Sequence, residues 1–272
     1  MKHPLRSVTA ALGLLVAAAA ALAAHDLFIK MDRYRLPPDT PVRIPIINGT
    51  FQVSENSITA DRVADVSVLV EGRRRHLGTD GWNAKGDTTY LEFRTGEPGT
   101  YVLGVETLPR ELSLPAADFN QYLAGDGVLD VLKQRALERE LDRDARERYA
   151  KHVKAVFQVG EELSGGIDVP LGHPAELLPL DNPYQATVGD VLAFRALVDG
   201  APVAGQLVLA GGDGGAEGVI EEREARSDDD GVVRFRMDQA GRWYVKFIHM
   251  SKVEDGNVNY ESQWATLTFE IR

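Results

Sequence analysis

His25 stands one or two residues beyond the end of an apparent export signal, so processing would leave an imidazole almost at the new amino terminus. A free α-amine titrates near ~8 and an imidazole near ~6.5, so near neutrality both give up a proton cheaply to a metal ion. With His25 first in the processed chain, the amine and one ring nitrogen can chelate a single ion. With His25 second, a deprotonated backbone nitrogen has to join, a demand that favours copper or nickel. The competing reading is that His25 simply opens the first strand. A second candidate, His249, lies on the predicted strand Arg242 to Met250, where alternation places Trp243, Val245, Phe247 and His249 on one face. The stretch Ser251 to Ser262 then returns to a strand over Gln263 to Ile271, which can bring Glu261 back towards His249. His25, His249 and the optional carboxylates Asp26 and Glu261 form a nitrogen-rich donor set. It suits nickel, cobalt, copper or zinc better than calcium or magnesium, which want more oxygens. Met31 and Met250 could add a thioether and tilt the choice towards Cu(I), but hydrophobic packing is the preferred reading of both.

The elements that must position these residues follow from pattern. Residues 1–23 read as a signal peptide: Lys2 and Arg6, an apolar run from Ala10 to Ala20, then Ala21-Leu22-Ala23-Ala24, with cleavage expected after Ala23 or Ala24. Two β-rich regions follow, 24–115 and 161–272. Their late strands echo each other: Glu97-Pro98-Gly99-Thr100-Tyr101 and Gln239-Ala240-Gly241-Arg242-Trp243 both run from a glycine turn into alternation. Other strands are predicted over Val42 to Ile47, Val63 to Val70, Thr88 to Thr95, Val191 to Val198, Gln206 to Ala210 and Val232 to Met237. Between the regions, 116–160 holds a predicted helical stretch, Ala116 to Tyr149, broken near Gly125 and Gly127, and a returning strand, Lys154 to Gly160. The charged run Glu138 to Arg148 reads as a solvated helix face. The fold class is mainly β: two tandem immunoglobulin-like or prealbumin-like sandwiches joined by a helical segment.

Composition narrows the function. The net charge is -11, and loss of Lys2 and Arg6 with the signal takes it to -13, so nucleic acid is an improbable partner. There is no cysteine, which excludes disulfides, thiolate metal sites and cysteine nucleophiles. The chain carries no G-x-S-x-G elbow, H-E-x-x-H helix or nucleotide-binding glycine pattern. Asp228-Asp229-Asp230-Gly231 reads as a turn rather than a calcium loop. His76 follows Arg73-Arg74-Arg75 and reads as exposed, His152 as lying near a helix end, and His173 as part of an extended connection. The signal, with no later apolar stretch of membrane-spanning length, indicates a periplasmic protein without membrane insertion.

Several segments together are distinctive: Ala24-His25-Asp26-Leu27-Phe28, Asp118-Phe119-Asn120-Gln121-Tyr122-Leu123, Arg146-Glu147-Arg148-Tyr149-Ala150-Lys151, Lys154-Ala155-Val156-Phe157-Gln158-Val159-Gly160 and Asn182-Pro183-Tyr184. The chain resembles a bacterial family of periplasmic domains of unknown function often labelled nickel/cobalt transport family proteins. The resemblance implies a β-sandwich periplasmic protein associated with metal supply, with His25 and His249 in matching segments; the leading expectation built on it is a non-catalytic protein that binds a divalent transition metal and presents it to a membrane uptake system. Two other readings remain open: a structural or glycan/protein-binding module of the cell envelope, and a copper redox enzyme built on an amino-terminal histidine.

Overall fold

A computed structural model describes residues 25–272; the expected signal and both expected cleavage positions lie outside the described residues. The first region forms β1 (Asp26–Ile29), β2 (Arg35–Leu36), β3 (Pro41–Gly49), β4 (Val63–Val70), β5 (Arg73–His76), β6 (Trp82–Lys85), β7 (Thr88–Arg94), β8 (Gly99–Thr107) and β9 (Arg110–Leu114). Two helices follow, α1 (Ala116–Gly125) and α2 (Leu129–Leu137), then β10 (Ala145–Val159), β11 (Ala175–Pro179), β12 (Val191–Val198) and β13 (Ala201–Pro202). The chain ends with β14 (Leu207–Asp213), β15 (Val219–Arg226), β16 (Val232–Arg236), β17 (Gly241–Asp255) and β18 (Val258–Ile271).

The protein is mainly β, as its alternation predicts, and the sheets build sandwiches. Glycines open the two echoing strands at positive φ: Gly99 begins β8 and Gly241, at φ 142°, begins β17. At Gly241 a side chain would collide with the backbone of Asp213 and Gly214, so the turn into β17 requires glycine.

Both halves share one long sheet, in the order β15-β14-β17-β18-β10-β8-β4-β5. The seam is β10, which pairs parallel with β18 and antiparallel with β8. Strands β1, β3, β7 and β6 form a second sheet, and β11, β12, β13 and β16 a third. These two smaller sheets lie on opposite faces of β10. Phe157 packs against Phe93 of β7 with ring centres 6.3 Å apart, whereas Lys154, an odd number of residues away, donates to Leu177 O in β11. One hydrophobic core therefore runs through both halves, from Ile44 and Phe93 to Phe194 and Phe269.

The helical layer differs from expectation in extent. Helix α2 stops at Leu137, the chain turns with Arg139 at φ 59°, and from Ala145 onward it is strand. The charged run is thus not one solvated helix face: pairing of β10 with β9 and β18 overrides local helix propensity. Alternation sends Glu147 into the core and Arg146 and Arg148 to the surface. Helices α1 and α2 bury Phe119, Tyr122 and Leu123 against Ile248, Met250, Tyr260 and Trp264. The nearly enclosed Arg135 ties this layer together, donating to Asn120 Oδ1, Tyr260 Oη and the carbonyls of Glu140 and Arg143. Neither helix is long and apolar enough to cross a membrane.

Candidate functional site

Where β1 leaves the first described residue, a polar cleft of about 430 Å³ opens between the β3 end, the α1–α2 link and β17. Its wall includes His25, Asp26, Glu55, Asp126, Tyr244 and Lys246. Strand β1 is fixed by pairing with β3, Asp26 opposite Gly49, and its other side lies on the central sheet, where Thr266 Oγ1 donates to Leu27 O at 2.9 Å. Lys151 of β10 donates its ammonium to His25 O, clamping the backbone at the cleft mouth.

His25 is partly exposed, and its Nδ1 lies 3.6 Å from Glu55 Oε2. Asp26 uses Oδ2 to pair with Lys246 Nζ at 2.6 Å, while its enclosed Oδ1 has no partner among the described residues. Lys246 also approaches Glu222 at 3.6 Å, and Tyr244 Oη donates to Glu222 Oε2 at 2.9 Å. Burial works against the Lys246 ammonium, but Asp26 and Glu222 outweigh it and raise its pKa. Burial also raises Asp126 to about 7, with the neighbouring Asp26 charge adding to the effect. It lowers Lys151 to about 8 against the pull of Asp26 and Asp126. The cleft thus gathers carboxyls and amines whose protonation is shifted by burial and by one another, with one imidazole at its rim.

The structure brings His25 and Asp26 into this cleft but does not bring His249 or Glu261 to them. Lys246 contacts Asp26, and His249 lies three residues further along β17, so the two side chains leave opposite faces of the strand. His249 lines a separate hollow beside Gln206, Val128 and Met250, and its Nδ1 is 3.1 Å from Gln206 Oε1. The expected β17–β18 hairpin forms, yet its register sets Gln263, not Glu261, opposite His249. Glu261 instead pairs with Arg148 at 2.6 Å. Met31 and Met250 are both buried in hydrophobic cores. Asp228 Oδ1 accepts from the N–H groups of Asp230 and Val232, the turn chemistry expected of that acidic run. His76 is exposed and pairs with Asp65, but His152 and His173 are buried, contrary to the sequence reading.

Glu55, Asp126, Lys151 and Lys246 were not legible as site residues. The available signal was Lys246 between the apolar residues Val245 and Phe247, and Lys151 close to the apolar stretch that ends β10, since a lysine inside a buried strand needs a carboxylate nearby. Among the described residues, no group of three or more His, Asp or Glu side chains is arranged to hold a metal ion.

Shared long sheet and polar cleft define a mainly-β sandwich protein with one ionisable recess at the amino end of its described chain. The chain belongs to the family of the domain of unknown function DUF4198, whose model matches residues 22–251. No curated protein matches it. Among solved structures it is similar to the D0-D1 domain of intimin, at 9% identity over 90% of this chain and 97% of that one, with a TM-score of 0.21. It is also similar to alpha-2-macroglobulin of E. coli, at 11% identity over 89% of this chain and 14% of that one, TM-score 0.23. A tetra-tandem repeat from a large adhesion protein aligns at 10% identity over 91% of this chain and 50% of that one, TM-score 0.22. At such scores the architecture is read from this chain's own sheets.

Proposed function

We propose that the protein is a non-catalytic, exported metal carrier that takes up a divalent transition ion at its processed amino terminus and presents it to a membrane uptake system. The observation that carries this reading is His25 at the rim of an ionisable cleft, its Nδ1 3.6 Å from the Glu55 carboxylate. These two side chains supply one nitrogen and one oxygen donor. The residues fit an ion only if the α-amine freed by cleavage after Ala24 joins them, because Asp26 is already engaged by Lys246. An amine, an imidazole and a carboxylate suit nickel, cobalt, copper or zinc. His249 and Glu261 have no part in this set.

Protein recovered after export is weighed intact to fix its first residue, then titrated calorimetrically with each of the four ions. One equivalent is expected to bind, His25→Ala to abolish binding, Glu55→Gln to weaken it, and His249→Ala to leave it unchanged. Retention of full affinity by His25→Ala sinks the reading.

A further inference from the structure

His152 in β10 and His173 in the connection before β11 are 1% and 3% exposed. Their protonation follows from their neighbours. His152 Nε2 lies 2.7 Å from Gln263 Oε1, and His173 Nε2 lies 3.4 Å from Asp65 Oδ2. An amide oxygen and a carboxylate only accept, so in each ring Nε2 carries the hydrogen and Nδ1 keeps its lone pair. Burial disfavours the charged form of both rings. Both Nδ1 atoms are enclosed and without a hydrogen-bond partner among the described residues.

A buried lone pair left without a donor is a cost that folded proteins ordinarily avoid. These two belong to rings whose centres are 5.9 Å apart, inclined at 41°. With metal–nitrogen bonds of about 2.0 Å, one ion held by a nitrogen of each ring sets the centres about 5 Å apart at a tetrahedral angle and about 6 Å apart when the two bonds are nearly opposed. The outer groups match a metal site too: a ligating histidine characteristically donates its other N–H to a carboxylate or carbonyl oxygen, the roles Asp65 and Gln263 fill.

We propose that His152 Nδ1 and His173 Nδ1 form a buried two-nitrogen site for Cu(I), separate from the amino-end cleft. The coordination number selects the ion. No third His, Asp or Glu joins the pair in a metal-holding group among the described residues; structural zinc takes four donors, whereas the singly charged Cu(I) ion can be held linearly by two. A single positive charge is also the least costly to place near the Lys154 ammonium, which Glu176 already neutralises. The surroundings are built to seat His173. Glu176 accepts the N–H groups of Leu171, Gly172 and His173 at 2.9, 2.6 and 3.0 Å, fixing the loop that carries the ring. Across from it, Gly104 of β8 leaves the floor bare: a methyl group there would overlap Leu171 Cδ1 and lie 3.1 Å from His173 Cε1.

The test uses the mature chain carrying His25→Ala, which removes the amino-end site, titrated without oxygen with Cu(I) against a coloured Cu(I) chelator. One equivalent of retained copper is expected, with two imidazole nitrogens in its X-ray absorption spectrum. His152→Leu and His173→Leu, each verified as folded by circular dichroism, should each lose it. No retained copper, or copper kept by either folded variant, overturns the proposal. Should the leucine variants fail to fold, imidazole nitrogen NMR decides, with rings assigned using His76→Ala and His249→Ala. Cu(I) must move the Nδ1 resonances of His152 and His173, and movement of other rings instead overturns the proposal. Divalent-ion titration of the native protein reports on the cleft alone, so the two readings fail separately.

Discussion

Removing the ammonium of Lys154 should expose how the loop ahead of β11 is held. Lys154 and Glu176 are both 2% exposed and form an ion pair. Stripping one partner from such a pair costs about 3 to 5 kcal/mol, because the other charge stays buried. The two sides are not equivalent. In Lys154→Met, Glu176 keeps three backbone N–H donors, from Leu171, Gly172 and His173, which places the loss near the lower figure. In Glu176→Gln, one oxygen becomes an amide nitrogen facing an N–H donor. Lys154 then faces a neutral amide in place of a carboxylate, with the Leu177 carbonyl 3.2 Å away as its other acceptor, so the loss approaches the upper figure. For a chain of this size each kcal/mol moves Tm by about 2 to 4 °C. Calorimetric melting at pH 7 should therefore show drops of roughly 6 to 12 °C for Lys154→Met and 10 to 20 °C for Glu176→Gln. The double variant with methionine at both positions should recover little, since the three N–H groups remain unpaired. Shifts below about 2 °C in both single variants, or a larger loss in Lys154→Met, refute the reasoning.

Asp126 has the opposite linkage from an ordinary paired carboxylate. Burial raises it to about 7, and an unfolded aspartate titrates near ~4. Between those values the folded chain holds the proton more tightly, so stability falls as pH rises through that window. Asp126→Asn should be increasingly stabilised relative to the native protein from pH 4.5 to 7.5 in urea unfolding; an unchanging difference counts against the assigned burial. Arg135→Met should cost about 3 kcal/mol by orphaning the carbonyls of Glu140 and Arg143 and Asn120 Oδ1. Amide exchange should quicken in α1 and α2 and not in β12, and a stability change within about 0.5 kcal/mol refutes the anchoring role.

Strand positions were readable because alternation is local: Val63 to Val70 and Val191 to Val198 coincide with β4 and β12. The stretch after Leu137 was not, because Ala145 to Lys151 is composed of good helix formers and becomes strand only through partners as distant as β18. The same non-local pairing hid the shared sheet: nothing within β10 announces that it will join strands from both halves. Their place beside the predicted cleavage point marks His25 and Asp26 as candidate donors, and both line the cleft. Glu55, Asp126 and Lys246 come from three separate segments that meet only in the folded chain. His152 and His173 were misread for a related reason, since burial of a histidine is decided by what packs over it.

Strand β10 gives these placements a common cause. Lys151 and His152 are consecutive, so their side chains leave opposite faces of the central sheet. Lys151 reaches the carbonyl of His25 on the face that carries β1, and His152 approaches His173 on the face that carries β11. Residues on β10 thus touch both candidate nitrogen sites without bringing them together, which is why one site can be altered while the other is read. It also separates their chemistry. The amino-end cleft is partly open and lined by carboxylates, so in the proposed reading it would offer oxygen to a hydrated divalent ion. The histidine pair is enclosed and has no third His, Asp or Glu beside it in a metal-holding group among the described residues, so in the proposed reading it would discriminate by coordination number instead.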